Sequence, residues 1–143
     1  MALTHINPET MHHNPYFSQA TIVDGGRIMF IGEQNGVDAN GEIVAGGAGA
    51  QSAQAVEQLK LILADLGVDT SAVAKLTVYF SRDVTLDEVF GPAIERWGAQ
   101  PTAITVLQVY ALARADALVG IEAVVNLPGL NEDHELPSSV VGS

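Results

Sequence analysis

Between positions 50 and 66, apolar side chains return every three or four residues, at Val56, Leu59, Leu63 and Leu66, with Ile62 widening the stripe. That spacing paints one face of an α-helix. Ala, Gln, Glu, Leu and Lys fill the remaining positions and are strong helix formers. Gly67 ends the helix as a C-cap glycine does. Over 75–80 the period falls to two. Leu76, Val78 and Phe80 alternate with Lys75, Thr77 and Tyr79, which predicts a strand with one apolar and one polar face. Residues 104–109 and 118–126 read as two further strands. Residues 21–23 and 28–31 read as two short ones, and the Asp24-Gly25-Gly26 turn between them predicts a hairpin. Residues 42–44 are a candidate short strand after the Asn40-Gly41 turn. A second helix is predicted from Thr85, an N-cap with Glu88 three residues on, to Trp97. Pro92 should kink that helix or move its start to near Phe90.

The order strand-strand-(strand)-helix-strand-helix-strand-strand makes this an α+β chain. Crossovers require parallel pairing and hairpins antiparallel pairing, so one mixed sheet with both helices on one face is predicted. Residues 1–15 carry no period and are expected to be irregular. Residues 128–143 form an aperiodic tail, which leaves a single domain over 16–127. The other sheet face, carrying Thr77 and Tyr79, has no helix to cover it. A hydrophobic content of 48% with only 16% charged residues suits a chain that covers such a face with a partner subunit.

Charge then narrows the partners. Six basic residues against 17 acidic ones give a net charge of -11, which repels nucleic acid and anionic membrane alike. There is no cysteine, so disulfide and thiolate chemistry are excluded. No signal peptide or membrane-spanning run is visible, and the cytoplasm is the expected location. The histidines at 5, 12, 13 and 134 form no ligand spacing, so no metal is expected. Gly46-Gly47-Ala48-Gly49 lacks the GxGxxG spacing and the lysine of a phosphate loop, and reads as a flexible connection.

Glu122 stands out because it interrupts the apolar run 118–125. A carboxylate there is expensive unless hydrogen-bonded, paired or protonated. It is either a structural anchor satisfied by backbone N–H groups or one wall of a pocket. It is the sole candidate for a buried general acid or base, and no neighbouring residue is expected to supply a paired acid. No basic residue lies between Arg96 and Arg114, so the strand over 104–109 offers it no cation. Glu33, Gln34 and Asn35 follow the second strand as possible ligand contacts or as an exposed turn. Arg82 and Arg114 are the cations placed at a strand end or in a late loop.

Phe17-Ser18-Gln19-Ala20, Gly32, residues 38–42, Gly49-Ala50-Gln51, residues 59–67, Lys75-Leu76-Thr77-Val78-Tyr79, Pro101 and Ile121-Glu122-Ala123 resemble, in order and spacing, one known family. It is the Rid family of reactive-intermediate deaminases, also called YjgF/YER057c/UK114 or L-PSP proteins. The resemblance implies a chorismate-mutase-like α+β fold. It also implies a homotrimer whose sheets make a barrel-like centre, and small-molecule clefts between subunits. Active members hydrolyse enamines or imines such as 2-aminoacrylate, and no cofactor is implied. An arginine two residues after the family proline clamps the substrate carboxylate; here that position is Ala103. A glutamate two residues before the position of Glu122 helps place the attacking water; here it is Gly120. The family tyrosine matches Phe17, beside Tyr16. The strand-end serine matches Ile31, a common cysteine Thr105, and a helix asparagine falls near Phe90. The resemblance therefore points to an arginine-lacking branch. Its site would draw on Glu122 as the catalytic candidate. Phe17, Gly32, Glu33, Asn35, Tyr79, Arg82, Ala103, Thr105 and Arg114 would be substrate contacts. Imine deamination, non-catalytic metabolite binding and a ligand-free scaffold role all remain open at this level.

Overall fold

The structure is a computed structural model that describes residues 3–128. In chain order it contains β1 (Leu3–Ile6), β2 (Ala20–Val23), β3 (Arg27–Gln34), α1 (Gly47–Asp65), a 3-10 turn (Thr70–Ala72), β4 (Val73–Ser81), α2 (Leu86–Trp97), β5 (Ala103–Val109) and β6 (Val119–Leu127). The main sheet has the order β3-β6-β4-β5. β4 and β5 are parallel, whereas β6 is antiparallel to both β3 and β4. The expected mixed α+β sheet with two helices on one face is present. The tail from 129 onward lies outside the described residues.

Two expectations fail at the N-terminus. Residues 1–15 are not wholly irregular, because β1 pairs antiparallel with β2. The β2–β3 hairpin does not form either. Gly25 and Gly26 make a turn at φ 78 and 80, but the strands they join enter different sheets. β3 has an apolar face in Met29 and Ile31, and its partner is the distant β6. Residues 42–44 form only an isolated bridge, Val37 with Ile43.

The helices meet where the sequence is least bulky. α1 starts at Gly47, so of the residues expected to be a flexible connection Gly46 is its N-cap and Gly47-Ala48-Gly49 open its first turn. A Cβ at Gly49 would lie 3.3 Å from Pro92 Cγ and 3.5 Å from Glu88 O. Glu88 O is the carbonyl that Pro92 cannot pair with, having no N–H. One residue on, Ser52 Oγ donates to Val89 O at 2.6 Å. α2 thus carries Pro92 internally, and its start is not displaced: Thr85 caps it by accepting from Glu88 N at 3.3 Å. Gly67, at φ 74, donates to Ala64 O and closes α1 as expected.

Leu59, Leu63, Val89, Val119 and Val125 are fully buried between helices and sheet. Each contributes roughly 1.5–3 kcal/mol by leaving water. Strand alternation sends Leu76, Val78, Phe80, Ile121 and Ala123 to the same side. Thr77, Tyr79 and Glu122 therefore face away from the helices. So does Phe30, which pairs with Val124 and is 77% exposed.

Candidate functional site

β4 and β6 place the central polar pair. Thr77 is in register with Glu122, and Tyr79 with Gly120. The Tyr79 side chain reaches diagonally, and its hydroxyl donates to Glu122 Oε1 at 2.7 Å. The expected backbone anchoring of Glu122 is thus replaced by a phenol on the helix-free face.

A third residue joins them from β3. Ile31 points to the core, so strict alternation would send Glu33 there as well. The ladder shifts between Ile31 and Gln34: Ile31 pairs with Ala123 and Gln34 with Ile121. That bulge inserts one extra residue and turns Glu33 onto the open face. Opposite it stands Gly120. A Cβ built there would lie 1.9 Å from Glu33 Oε2 and 2.5 Å from its Cδ. The Glu33 carboxylate occupies the volume that a side chain at 120 would need.

Glu33, Tyr79 and Glu122 line a cleft of about 320 Å³, whose remaining walls are Val109, Ala111, Leu112 and Ala113. Glu33 is pushed above its ordinary 4.5, first by partial burial and then by the Glu122 charge. The Tyr79 phenol is pushed above its ordinary 10.0, first by its hydrogen bond to Glu122, then by desolvation and the two carboxylates. The cleft thus holds two interacting acids and one hydroxyl, with no lysine or arginine in its lining. Lys75 lies on the far side of Glu122, where it lines a second depression of about 250 Å³ with Gly32, Phe30 and Thr77.

The other sequence candidates are dispersed. Asn35 donates to Val119 O at 3.0 Å and pins the start of β6. Gln51 Oε1 accepts from Leu118 N at 2.8 Å, one residue before it. Arg82 donates to Tyr110 O at 2.8 Å, and its guanidinium lies 3.8 Å from the Tyr110 ring centroid. Arg114 donates to Asp116 at 2.7 Å and to Gly41 O at 2.8 Å. Its hydrogen bond holds Asp116 below the ordinary carboxylate value. Ala103 is buried, in register with Lys75 and bridged to Ser18. Thr105 pairs with Thr77 and is exposed. Phe17, with Tyr16, lines a separate apolar hollow of about 340 Å³ between α2 and the sheet, floored by Leu59 and Val78. The pairing of Glu33 with Glu122 escapes sequence reasoning. Its one signal is a glycine inside a strand, which marks close approach of another group.

Among the described residues, no helix is long and apolar enough to cross a membrane. No group of three His, Asp or Glu side chains among them is placed to hold a metal ion.

Known proteins share this architecture. The family model described as endoribonuclease L-PSP matches residues 9–127. Protein DfrA of Myxococcus xanthus is 37% identical over 115 residues, covering 76% of this chain and 82% of its own. The crystal structure of YyfB from Yersinia pestis, a protein of unknown function in the conserved Rid family, is 33% identical with a TM-score of 0.79. It covers 89% of this chain and 100% of its own. RidA from the Antarctic bacterium Psychrobacter is 28% identical with a TM-score of 0.62, covering 78% of this chain and 88% of its own. The match over nearly all the described residues and the shared sheet-and-helix arrangement establish that this chain belongs to the Rid (YjgF/YER057c/UK114, endoribonuclease L-PSP) family.

Proposed function

We propose that the protein works as a homotrimer and hydrolyses a small enamine or imine in a pocket between subunits, releasing an amine or ammonia. The observation that carries this reading is Glu122, held by the Tyr79 hydroxyl at the floor of a cleft on the helix-free sheet face. An imine carbon is already electrophilic, so water capture needs orientation and modest proton management. A carboxylate oriented by a phenol supplies both.

Trimerisation accounts for the exposed apolar side chains of that face. Phe30, Ile28 and Leu107 are 77%, 44% and 43% exposed in the single chain. Closing three sheets into a barrel would cover them and wall the cleft. A net charge of -11 argues against an RNA substrate, whatever the family's endoribonuclease description. With Ala103 at the clamp position, and Arg82 and Arg114 engaged elsewhere, the reading favours neutral substrates over 2-imino acids.

Sedimentation equilibrium at micromolar concentration should give three times 15.0 kDa. Ammonia release from generated neutral imines should exceed the spontaneous rate. A trimer that binds such imines without hydrolysing them would make it a metabolite-binding protein. A clean monomer would remove the intersubunit pocket.

A further inference from the structure

We propose that Glu33 is a second proton-carrying residue of this reaction, acting with Glu122 as an acid–base couple; this rests on the imine-hydrolase reading above. Two structural facts support it independently of pH behaviour. The β3 bulge turns Glu33 onto the open face. Gly120 leaves vacant the volume its carboxylate then fills, which lets the side chain lie over β6 in the same cleft as Glu122. The groups facing the couple are the Tyr79 hydroxyl from β4 and the apolar side chains of Val109, Ala111, Leu112 and Ala113. Lys75 shares with Glu122 the second depression, which also holds Thr77 and Gly32. Partial burial and then the nearby Glu122 charge favour the protonated form of Glu33, which makes it the acid of the couple.

The chemistry balances with that one proton. As the oxygen of water bonds to the imine carbon, its proton passes to Glu122. The π electron pair of the C=N bond moves to nitrogen, which takes the proton held by Glu33. The product is a carbinolamine. In its collapse the hydroxyl proton returns to Glu33 as C=O forms. Nitrogen takes the proton from Glu122 as the C–N bond breaks, and amine leaves. Both acids end as they began, and no oxidant, reductant or metal enters the sum.

The test uses the full-length protein with a generated neutral imine. Glu33→Gln should keep the assembly state and lower kcat by about 100-fold, the low end of what a positioned acid–base group supplies. Glu33→Asp should retain a partial rate. The double variant Glu33→Ala/Gly120→Glu returns a carboxylate to the same volume from β6. It should regain at least about tenfold over Glu33→Ala. Gly120 is not among the positive-φ glycines, so its backbone accepts the side chain. Carbon-13 titration should place the Glu33 carboxyl above its ordinary value in the parent and lower it in Glu122→Gln. A merely structural Glu33 would not give that pattern together with the loss of rate.

Full turnover in Glu33→Gln, alongside an inactive Glu122→Gln, overturns the role of Glu33 and leaves the hydrolase reading standing. An active Glu33→Ala/Gly120→Glu no faster than Glu33→Ala also overturns it. A parent protein that hydrolyses none of the imines overturns the hydrolase reading itself, and the proton delivery with it.

Discussion

Replacing Gly120 with alanine should make the protein slightly more stable and much less able to hold its acid couple. The new methyl would stand 1.9 Å from Glu33 Oε2, 2.5 Å from Cδ and 2.7 Å from Cγ. Ordinary contact needs about 3.5 Å, so the carboxyl end must move by about 1.5 Å or more. Only side-chain atoms of Glu33 are in the way, and Glu33 is already largely exposed. It can swing into solvent by changing rotamer. Leaving partial burial and the neighbourhood of the Glu122 carboxylate relieves the two causes that raise Glu33, so the move carries no electrostatic penalty. The backbone at 120 is compatible with alanine, and Gly→Ala at such a site stabilises by about 0.4–1 kcal/mol through the unfolded chain. The expected urea midpoint at fixed protein concentration therefore rises by about 0.2–0.5 M, taking a slope of about 2 kcal/mol/M. In the same variant the Glu33 carboxyl should titrate close to its ordinary 4.5. A loss of stability above about 1 kcal/mol would refute the idea that a mobile side chain is the sole obstacle at 120. So would an unchanged Glu33 titration.

Other outcomes follow from the same geometry. Glu122→Gln should lower the Tyr79 phenol from its raised value toward 10.0, read by ultraviolet titration, because the charged acceptor is its leading cause. Glu33 is raised in the folded state, so its contribution to stability is complete below about pH 4.5 and fades as pH rises through its folded value; Glu122→Gln should flatten that part of the stability profile. Arg82→Ala removes the stack on Tyr110 and should cost about 0.5–1 kcal/mol in urea unfolding, with turnover unchanged. Ser52→Ala removes the buried hydroxyl bond that ties α1 to Val89 O and should cost about 0.5–1.5 kcal/mol in urea unfolding. Coupled to a dehydratase, the protein should accelerate 2-oxo acid formation from 2-aminoacrylate little, since Ala103 cannot hold the substrate carboxylate; strong acceleration would show that another cation does so.

The elements legible in the sequence are those whose period is enforced by a single core. α1 and β4 are read from spacing alone, because Leu59, Leu63, Leu76 and Val78 all face the same buried layer. β1 escapes that reading, because Leu3–Ile6 is four residues long and its partner lies beyond an irregular stretch. The Gly25-Gly26 turn has the φ values of a hairpin, yet the long-range demand of Met29 and Ile31 for β6 outweighs the local signal. Pro92 looks like a helix breaker until Gly49 and the Ser52 hydroxyl appear beside it. Glu33 is named from sequence as a cleft residue, but its partner is not. A bulge is a one-residue slip in pairing, and no periodicity within β3 reveals how β6 is registered against it.

β6 ends at Leu127 yet lies between β3 and β4, at the centre of the sheet. During synthesis, everything up to β5 therefore emerges before the strand that joins its halves. At about 5–20 residues per second, the ribosome keeps β3 waiting for several seconds with an unpaired edge and with Met29 and Ile31 short of the strand they pack beside. The β4–β5 pair and the α1–α2 pair can form in that interval, but the sheet cannot close. Such long-range closure makes for slow folding and a window open to misassociation. The same layout means that a nonsense codon anywhere before β6 yields no smaller working version of the protein. A stop between β5 and β6 leaves β3 without a partner and the β4–β5 pair with an open edge, a product suited to chaperone capture or proteolysis.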